Sequence, residues 1–178
     1  MMEDKLPNLV VENPCDNPPV WPAAPVPVKN PLAAMELATG KKKDRFGCTR
    51  NSGTKFHAGL DIKAVKGTEC FAVADAKVEE VGFGTDVGKY VSISYNVDGQ
   101  TIGVAYCHLN EALVKKGDPV VAGQVIGKTG ITGNPDPNEP HLHIEYQTQI
   151  WVAYASAVDR SKVAMNPNAL VPVGVAGV

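Results

Sequence analysis

From Phe46 onward the chain is written in short β-runs broken by glycine, and this pattern constrains the fold more than any other feature. Cys70-Phe71-Ala72-Val73 and Lys77-Val78-Glu79-Glu80-Val81 precede Gly82 and Gly84. Tyr90 to Val97 alternates, placing Val91, Ile93 and Tyr95 on one face. Asp98-Gly99 is a strong hairpin signal, and Gln100 to His108 returns as the partner strand. Val120-Val121 and Gln124 to Thr129 read as a further pair, around Lys116-Gly117-Asp118-Pro119 and Ala122-Gly123. Leu142 to Gln147 closes the set. Strands so spaced, with no helical period between them, predict a mainly β fold: an antiparallel sandwich or partly open barrel with short peripheral helices. One such helix is expected around Pro31 to Leu37 or within Trp151 to Lys162. Seventeen glycines and fourteen prolines suit a turn-rich β protein of this kind.

Eight of the fourteen prolines fall within residues 1–31. Proline lacks a backbone donor and fixes φ, so this segment cannot join a sheet interior. It reads as an extended proline-rich N-terminal arm or linker, with a partner-docking peptide as the functional alternative. Residues 32–178 then form a single domain with its core at about 46–147, a size that permits a substantial core. A net charge of −2 and a pI near 6.1 offer no basic field for nucleic acid. No apolar run reaches the ~20 residues that span a bilayer, so no membrane insertion is expected. Pro7 and the acidic residues interrupt the N-terminus, which reads without a signal-peptide hydrophobic region. Cys15, Cys48, Cys70 and Cys107 lack Cys-x-x-Cys spacing. They permit a bridge among Cys48, Cys70 and Cys107, or free buried thiols acting as small hydrophobes.

All four histidines lie in motifs with metal-site chemistry: His57 with Asp61, His108 behind Tyr106, and the pair His141 and His143. In a strand, residues i and i+2 share a face, so His141, His143 and Glu145 would line a cleft while Leu142, Ile144 and Tyr146 face the core. Two imidazoles ~7 Å apart on one strand do not easily bind one ion, so one ligates and the other stands beside bound water. His57, Asp61 and His143 make three ligands, which leaves a fourth position open as catalytic zinc requires. Gly59 argues against a helix there and lets the chain bend closely around an ion. Tyr106 and His108 share one face of the hairpin's second strand, with Cys107 on the other, so a third strand can bring His108 into the cleft. A base and a transition-state stabiliser complete the needs of amide hydrolysis.

His57-x-x-x-Asp61, Tyr106-x-His108-Leu109 and His141-Leu142-His143, in that order, resemble the lysostaphin-like (LytM-type) zinc metalloendopeptidases of bacterial cell walls. The text around them matches as well, from Gly67-Thr68 through Ala74 to Val78 and Lys116 to Gly130. The resemblance implies an antiparallel β core of the duplicated hybrid-motif kind with an open cleft. It implies one Zn2+ per chain held by His57, Asp61 and His143, and His141 as general base. It gives His108 a part in transition-state stabilisation and places Tyr106 along the cleft. The substrate implied is the peptide crosslinks of peptidoglycan. One departure is the loop Thr132 to Pro140, which is longer, acidic and proline-rich; set beside His141, it would reshape substrate access. The tail beyond Gln147 also exceeds what a minimal catalytic domain needs.

The site of action implied is the periplasm or cell wall. Without a visible signal peptide, the routes expected are delivery by a secretion machine as an antibacterial effector, phage lysis, or a truncated start. An effector would meet an immunity or delivery protein, and the chain itself is expected to be a monomer. Two alternatives differ in class. A non-catalytic relative would bind the wall or activate an amidase, but such relatives lose ligands, and this chain has lost none. A swinging-arm carrier would explain Lys116 to Ile126, yet no modifiable Met-Lys-Met hairpin is present.

Overall fold

The computed structural model describes residues 12–154 and 156–171. The first eleven residues of the expected arm and residues 172–178 lie outside this range. Eleven strands lie among the described residues. Strands β1 (Gly47–Arg50) and β2 (Lys55–His57) form a hairpin of their own. A nine-stranded antiparallel sheet holds the rest. Its members are β3 (Gly59–Lys63), β4 (Glu69–Phe71), β5 (Ala76–Gly84), β6 (Gly88–Val97), β7 (Gln100–Ala112), β8 (Pro119–Val120), β9 (Val125–Thr129), β10 (His141–Gln147) and β11 (Ala164–Met165). The main path runs β11-β10-β7-β6-β5-β8; β3 flanks β10, and β9 bridges β7 and β4. The sheet does not close into a barrel, in line with the partly open architecture the sequence predicts.

Alternation builds the core. Leu60 and Ile62 of β3, Val91 and Ile93 of β6, Val104 and Tyr106 of β7, and Leu142, Ile144 and Tyr146 of β10 are fully buried in one cluster. Each such aliphatic side chain contributes about 1.5–3 kcal/mol by leaving water. Their neighbours on the opposite face, including Asp61, Cys107, His143 and Glu145, are thereby turned together towards the other side of the sheet.

The helix expected near the tail is present as α1 (Ala157–Val163), capped by the Ser156 side chain, whereas residues 31–37 form no helix. The expected β8–β9 pair does not form. A turn does join them, with Gln124 N–H bonded to Val121 O, but Gly123 N–H then bonds to Ala72 O, and Ala72 N–H to Gln124 O. These bonds turn β9 towards β4, leaving β8 to pair with β5. Among the cysteines, Cys48 is bridged to Cys15, not to Cys70 or Cys107, both of which are free and buried.

Residues 12–31 form no helix and carry a turn at Asn13 to Asp16, and they are fastened to the domain. Trp21 packs against Phe46 and Phe56 with ring centroids 5.2 Å from each, and its indole N–H donates to Ser161 O. Asn166 N–H bonds to Pro22 O and Ala24 N–H to Asn166 O, which ties the segment to the chain just after β11. Cys15 is joined covalently to β1. The arm thus braces the hairpin that carries Arg50 and His57.

Candidate metal centre

Register brings the first two groups together. Asp61 of β3 lies directly opposite His143 of β10, and Cys107 of β7 flanks His143 on the other side. His57 ends β2, with only Ala58 between it and β3, and its ring reaches the same point. His143 Nδ1 is 2.8 Å from Asp61 Oδ1, His57 Nε2 is 3.2 Å from that oxygen, and the two ring nitrogens are 3.2 Å apart. Tetrahedral zinc with bonds near 2.0–2.1 Å places its ligands about 3.3 Å from each other. Two imidazole nitrogens and one carboxylate oxygen at these separations therefore fit the ion with shifts of a few tenths of an ångström.

His141 and His108 stand beside this trio. His141 Nε2 is 3.6 Å from Asp61 Oδ1, and the His108 ring centroid lies 5.1 Å from that of His141 and 5.7 Å from that of His143. A regular strand would not have put His108 here. Its alternation would have sent His108 into the core with Tyr106. Instead β7 bulges against β6 between Tyr106 and Leu109, and His108 takes the left-handed conformation, with φ of +61°. The bulge re-aims the imidazole into the cleft. Tyr106 stays behind: it is fully buried, and its hydroxyl accepts a bond from Val73 N–H at 3.1 Å. The expectation that Tyr106 lines the cleft is thus not met, because the bulge separates the faces of two residues that simple alternation puts together.

All four imidazoles are oriented from outside by one acceptor each. His57 Nδ1 is 2.8 Å from Arg45 O, His108 Nδ1 2.9 Å from Thr132 O, His141 Nδ1 2.7 Å from Glu139 O, and His143 Nε2 3.0 Å from Glu145 Oε1. The tautomers of the neutral rings are assigned from these partners: the outer nitrogen carries the proton and donates, and the inner nitrogen then presents a lone pair. That lone pair is on Nδ1 in His143 and on Nε2 in the other three. The loop Thr132 to Pro140 supplies two of the four acceptors, so its length is used to hold His108 and His141.

Burial and charge act oppositely on these groups. Burial lowers the His57 pKa despite Asp61 nearby, and it drives His108 to about 3 with help from His143 and His141. Burial also disfavours charge on His143, but its bonds to Asp61 and Glu145 outweigh this and raise it to about 9 before any metal competes. The Asp61 carboxyl is buried, yet His57 and His143 hold it well below the usual range.

No sequence signal marked Arg50, and sequence reasoning misplaced Glu145 and Gly59. Arg50 of β1 donates to Asp61 Oδ2 at 2.6 Å and reaches within 3.0 Å of His57 Nε2. Glu145, expected to face the cleft, is 1% exposed and lies beneath His143, where Trp151 Nε1 and Arg160 meet it. Gly59 is not a bend around an ion; it is the first residue of β3, where a Cβ would come within 2.7 Å of the His143 ring. A spacing signal existed only for Glu145, two residues beyond His143.

The site floors an open cleft of about 420 Å³. Its lining includes Lys43, Arg50 and Lys55 together with Asp86, Asp136 and Glu139, and Lys43 is paired with Glu139.

Known proteins resemble this chain in both sequence and shape. It is 39% identical over 92 residues to the peptidoglycan DD-endopeptidase ShyC of Vibrio cholerae, a match covering 52% of this chain and 20% of that protein. It is 37% identical over 92 residues to the glycyl-glycine endopeptidase ALE-1 of Staphylococcus capitis, covering 52% and 25% respectively. The chain thus spans a quarter or less of these two relatives' length. Its fold matches the catalytic domain of the antimicrobial peptidase lysostaphin from Staphylococcus simulans, with a TM-score of 0.58 at 28% identity, covering 72% of this chain and 88% of that one. The profile of peptidase family M23 matches residues 55–160, a stretch that holds all four histidines and Asp61. On this match the chain belongs to peptidase family M23, whose members are zinc-dependent metallopeptidases.

Proposed function

We propose that this chain is a zinc-dependent endopeptidase that hydrolyses peptide crosslinks of bacterial peptidoglycan. The observation that carries the reading is the convergence of His57 Nε2, Asp61 Oδ1 and His143 Nδ1 on one point of an open cleft, with the unprotonated nitrogens of His141 and His108 beside it. The names of ShyC and ALE-1 supply the substrate class.

His57, Asp61 and His143 would hold the metal. When bound, zinc supplies Lewis acidity, polarising the scissile carbonyl and easing deprotonation of water. His141 is the general base: its Nε2 accepts a proton from the attacking water, and the imidazolium so formed returns it to the departing amine. Glu139 O steadies that imidazolium by accepting from Nδ1. His108 begins as an acceptor rather than a donor, because Thr132 O keeps its proton on Nδ1. In this role it orients the water, and it can stabilise developing negative charge only after gaining a second proton. Tyr106 takes no part in this reading.

The site of action is the wall or periplasm, and a Cys15–Cys48 disulfide accords with an oxidising destination. Delivery as an antibacterial effector or lysis enzyme, answered by an immunity or delivery protein, belongs to the same proposal. Expression targeted to the periplasm of a test cell should lyse it, while cytoplasmic expression should not. The enzymatic reading is tested by mass analysis of muropeptides released from purified sacculi. Wild type should release fragments with a new amine and carboxyl at a crosslink, and His141→Ala should release none. Intact crosslinks with zinc-loaded wild type would refute the reading.

A further inference from the structure

We infer that Glu145 is a positioning residue for His143, and that the C-terminal segment locks it in place through Trp151 and Arg160. The inference rests on reading His143 as a metal ligand. Glu145 lies two residues beyond His143 on the same face of β10, opposite Gly59 of β3 and Ala105 of β7. Its carboxylate is 1% exposed and divides its oxygens between two tasks. Oε1 is 3.0 Å from His143 Nε2, while Oε2 accepts the Trp151 indole N–H at 2.9 Å. Arg160 of α1 brings Nη1 within 3.5 Å of Oε1, and its Nη2 is anchored on Tyr154 O at 2.6 Å.

Placing a carboxylate in the interior is costly unless donors surround it. Cys107, Ala105 and Trp151 pack as an apolar cluster on this side of the sheet, so packing alone would favour another apolar residue. What the carboxylate adds is direction. It fixes the His143 proton on Nε2 and aims the Nδ1 lone pair at Asp61 and His57. Partners of this kind set the tautomer, ring angle and basicity of a ligating histidine. Trp151 and Arg160 in turn stop the carboxylate from rotating away. The tail beyond Gln147, longer than a minimal catalytic domain needs, thereby acquires a task at the metal centre.

Glutamine at 145 cannot reproduce this arrangement. With its oxygen towards His143 and Arg160, its amide would oppose the Trp151 donor. Turned round, it would donate to His143 Nε2 and force the proton onto Nδ1, removing the lone pair. The test is zinc affinity of the full chain by chelator competition, for wild type, Glu145→Gln, Trp151→Phe and His143→Ala. The cobalt(II) absorption spectrum and metal-free melting curves accompany each. Glu145→Gln should bind zinc roughly 10–100-fold more weakly, with an altered cobalt spectrum and a folded metal-free state. Trp151→Phe should show a smaller loss in the same direction. Wild-type affinity and spectrum in Glu145→Gln, with binding abolished in His143→Ala, would overturn the positioning role and leave the metal reading intact. Wild-type affinity in His143→Ala would overturn both. If Glu145→Gln does not fold, Trp151→Phe decides, and unchanged affinity there overturns the proposal.

Discussion

Asp61 and His143 face each other as a register pair of β3 and β10, and their side chains meet at 2.8 Å between Oδ1 and Nδ1. The relationship is set by a hydrogen-bonded ladder rather than by a loop, which holds donor positions to the tolerance a metal needs. Arg50 occupies the other oxygen of Asp61 at 2.6 Å, leaving Oδ1 for the centre.

Gly59→Ala is the sharpest test of that ladder. A Cβ at this position would stand 2.4 Å from Ile144 O and 2.7 Å from His143 Cε1. Backbone cannot yield cheaply, so the variant should lose roughly 1–3 kcal/mol of stability and bind zinc more weakly. Thermal melts with and without chelator would measure both.

Opposing shifts on the histidines give a pH signature for the metal-free protein. His143, raised to about 9 from 6.5, contributes stability that is full below pH 6.5 and is lost as pH rises through about 9. His108, lowered to about 3, contributes stability present above pH 6.5 and lost as pH falls towards 3, and His57 acts in the same sense. These groups together place the melting maximum of the metal-free protein near neutrality. Zinc must displace the His143 proton, so its affinity should rise with pH up to about 9. Melting curves across pH for stripped and zinc-loaded protein should therefore separate progressively as pH rises. A constant separation would contradict the assignment of His143 Nδ1 to the metal.

The arm is expected to matter for stability. Closing the 33-residue separation between Cys15 and Cys48 restricts the unfolded chain, worth roughly 3–4 kcal/mol in the loop-entropy treatment. Cys15→Ser should lower the melting temperature of the oxidised protein, and reducing agent should have the same effect on wild type and none on the variant. Trp21→Ala removes a partly buried aromatic bridge between Phe46 and Phe56 and should destabilise, by less than the roughly 3–5 kcal/mol of a fully buried ring.

The regular parts of this site were legible in the sequence. His141 and His143 on one face of β10, with Leu142, Ile144 and Tyr146 on the other, follow from period-two alternation, which the strand obeys. His108 reached its place for a reason that alternation cannot express. A bulge with a left-handed residue re-aimed it, and the same bulge left Tyr106 in the core. The partners of Glu145 were illegible for another reason. Trp151 and Arg160 arrive through the return of the chain after β10, and no local spacing encodes that contact. The disulfide was hidden likewise, since Cys15 lies in a segment whose composition indicates only extension.

The most direct measurement is zinc stoichiometry and crosslink hydrolysis determined together for wild type, His143→Ala and His141→Ala. The account predicts one zinc per chain and activity in wild type, neither in His143→Ala, and bound zinc without measurable turnover in His141→Ala. Zinc retained by His143→Ala, or turnover retained by His141→Ala, would contradict it.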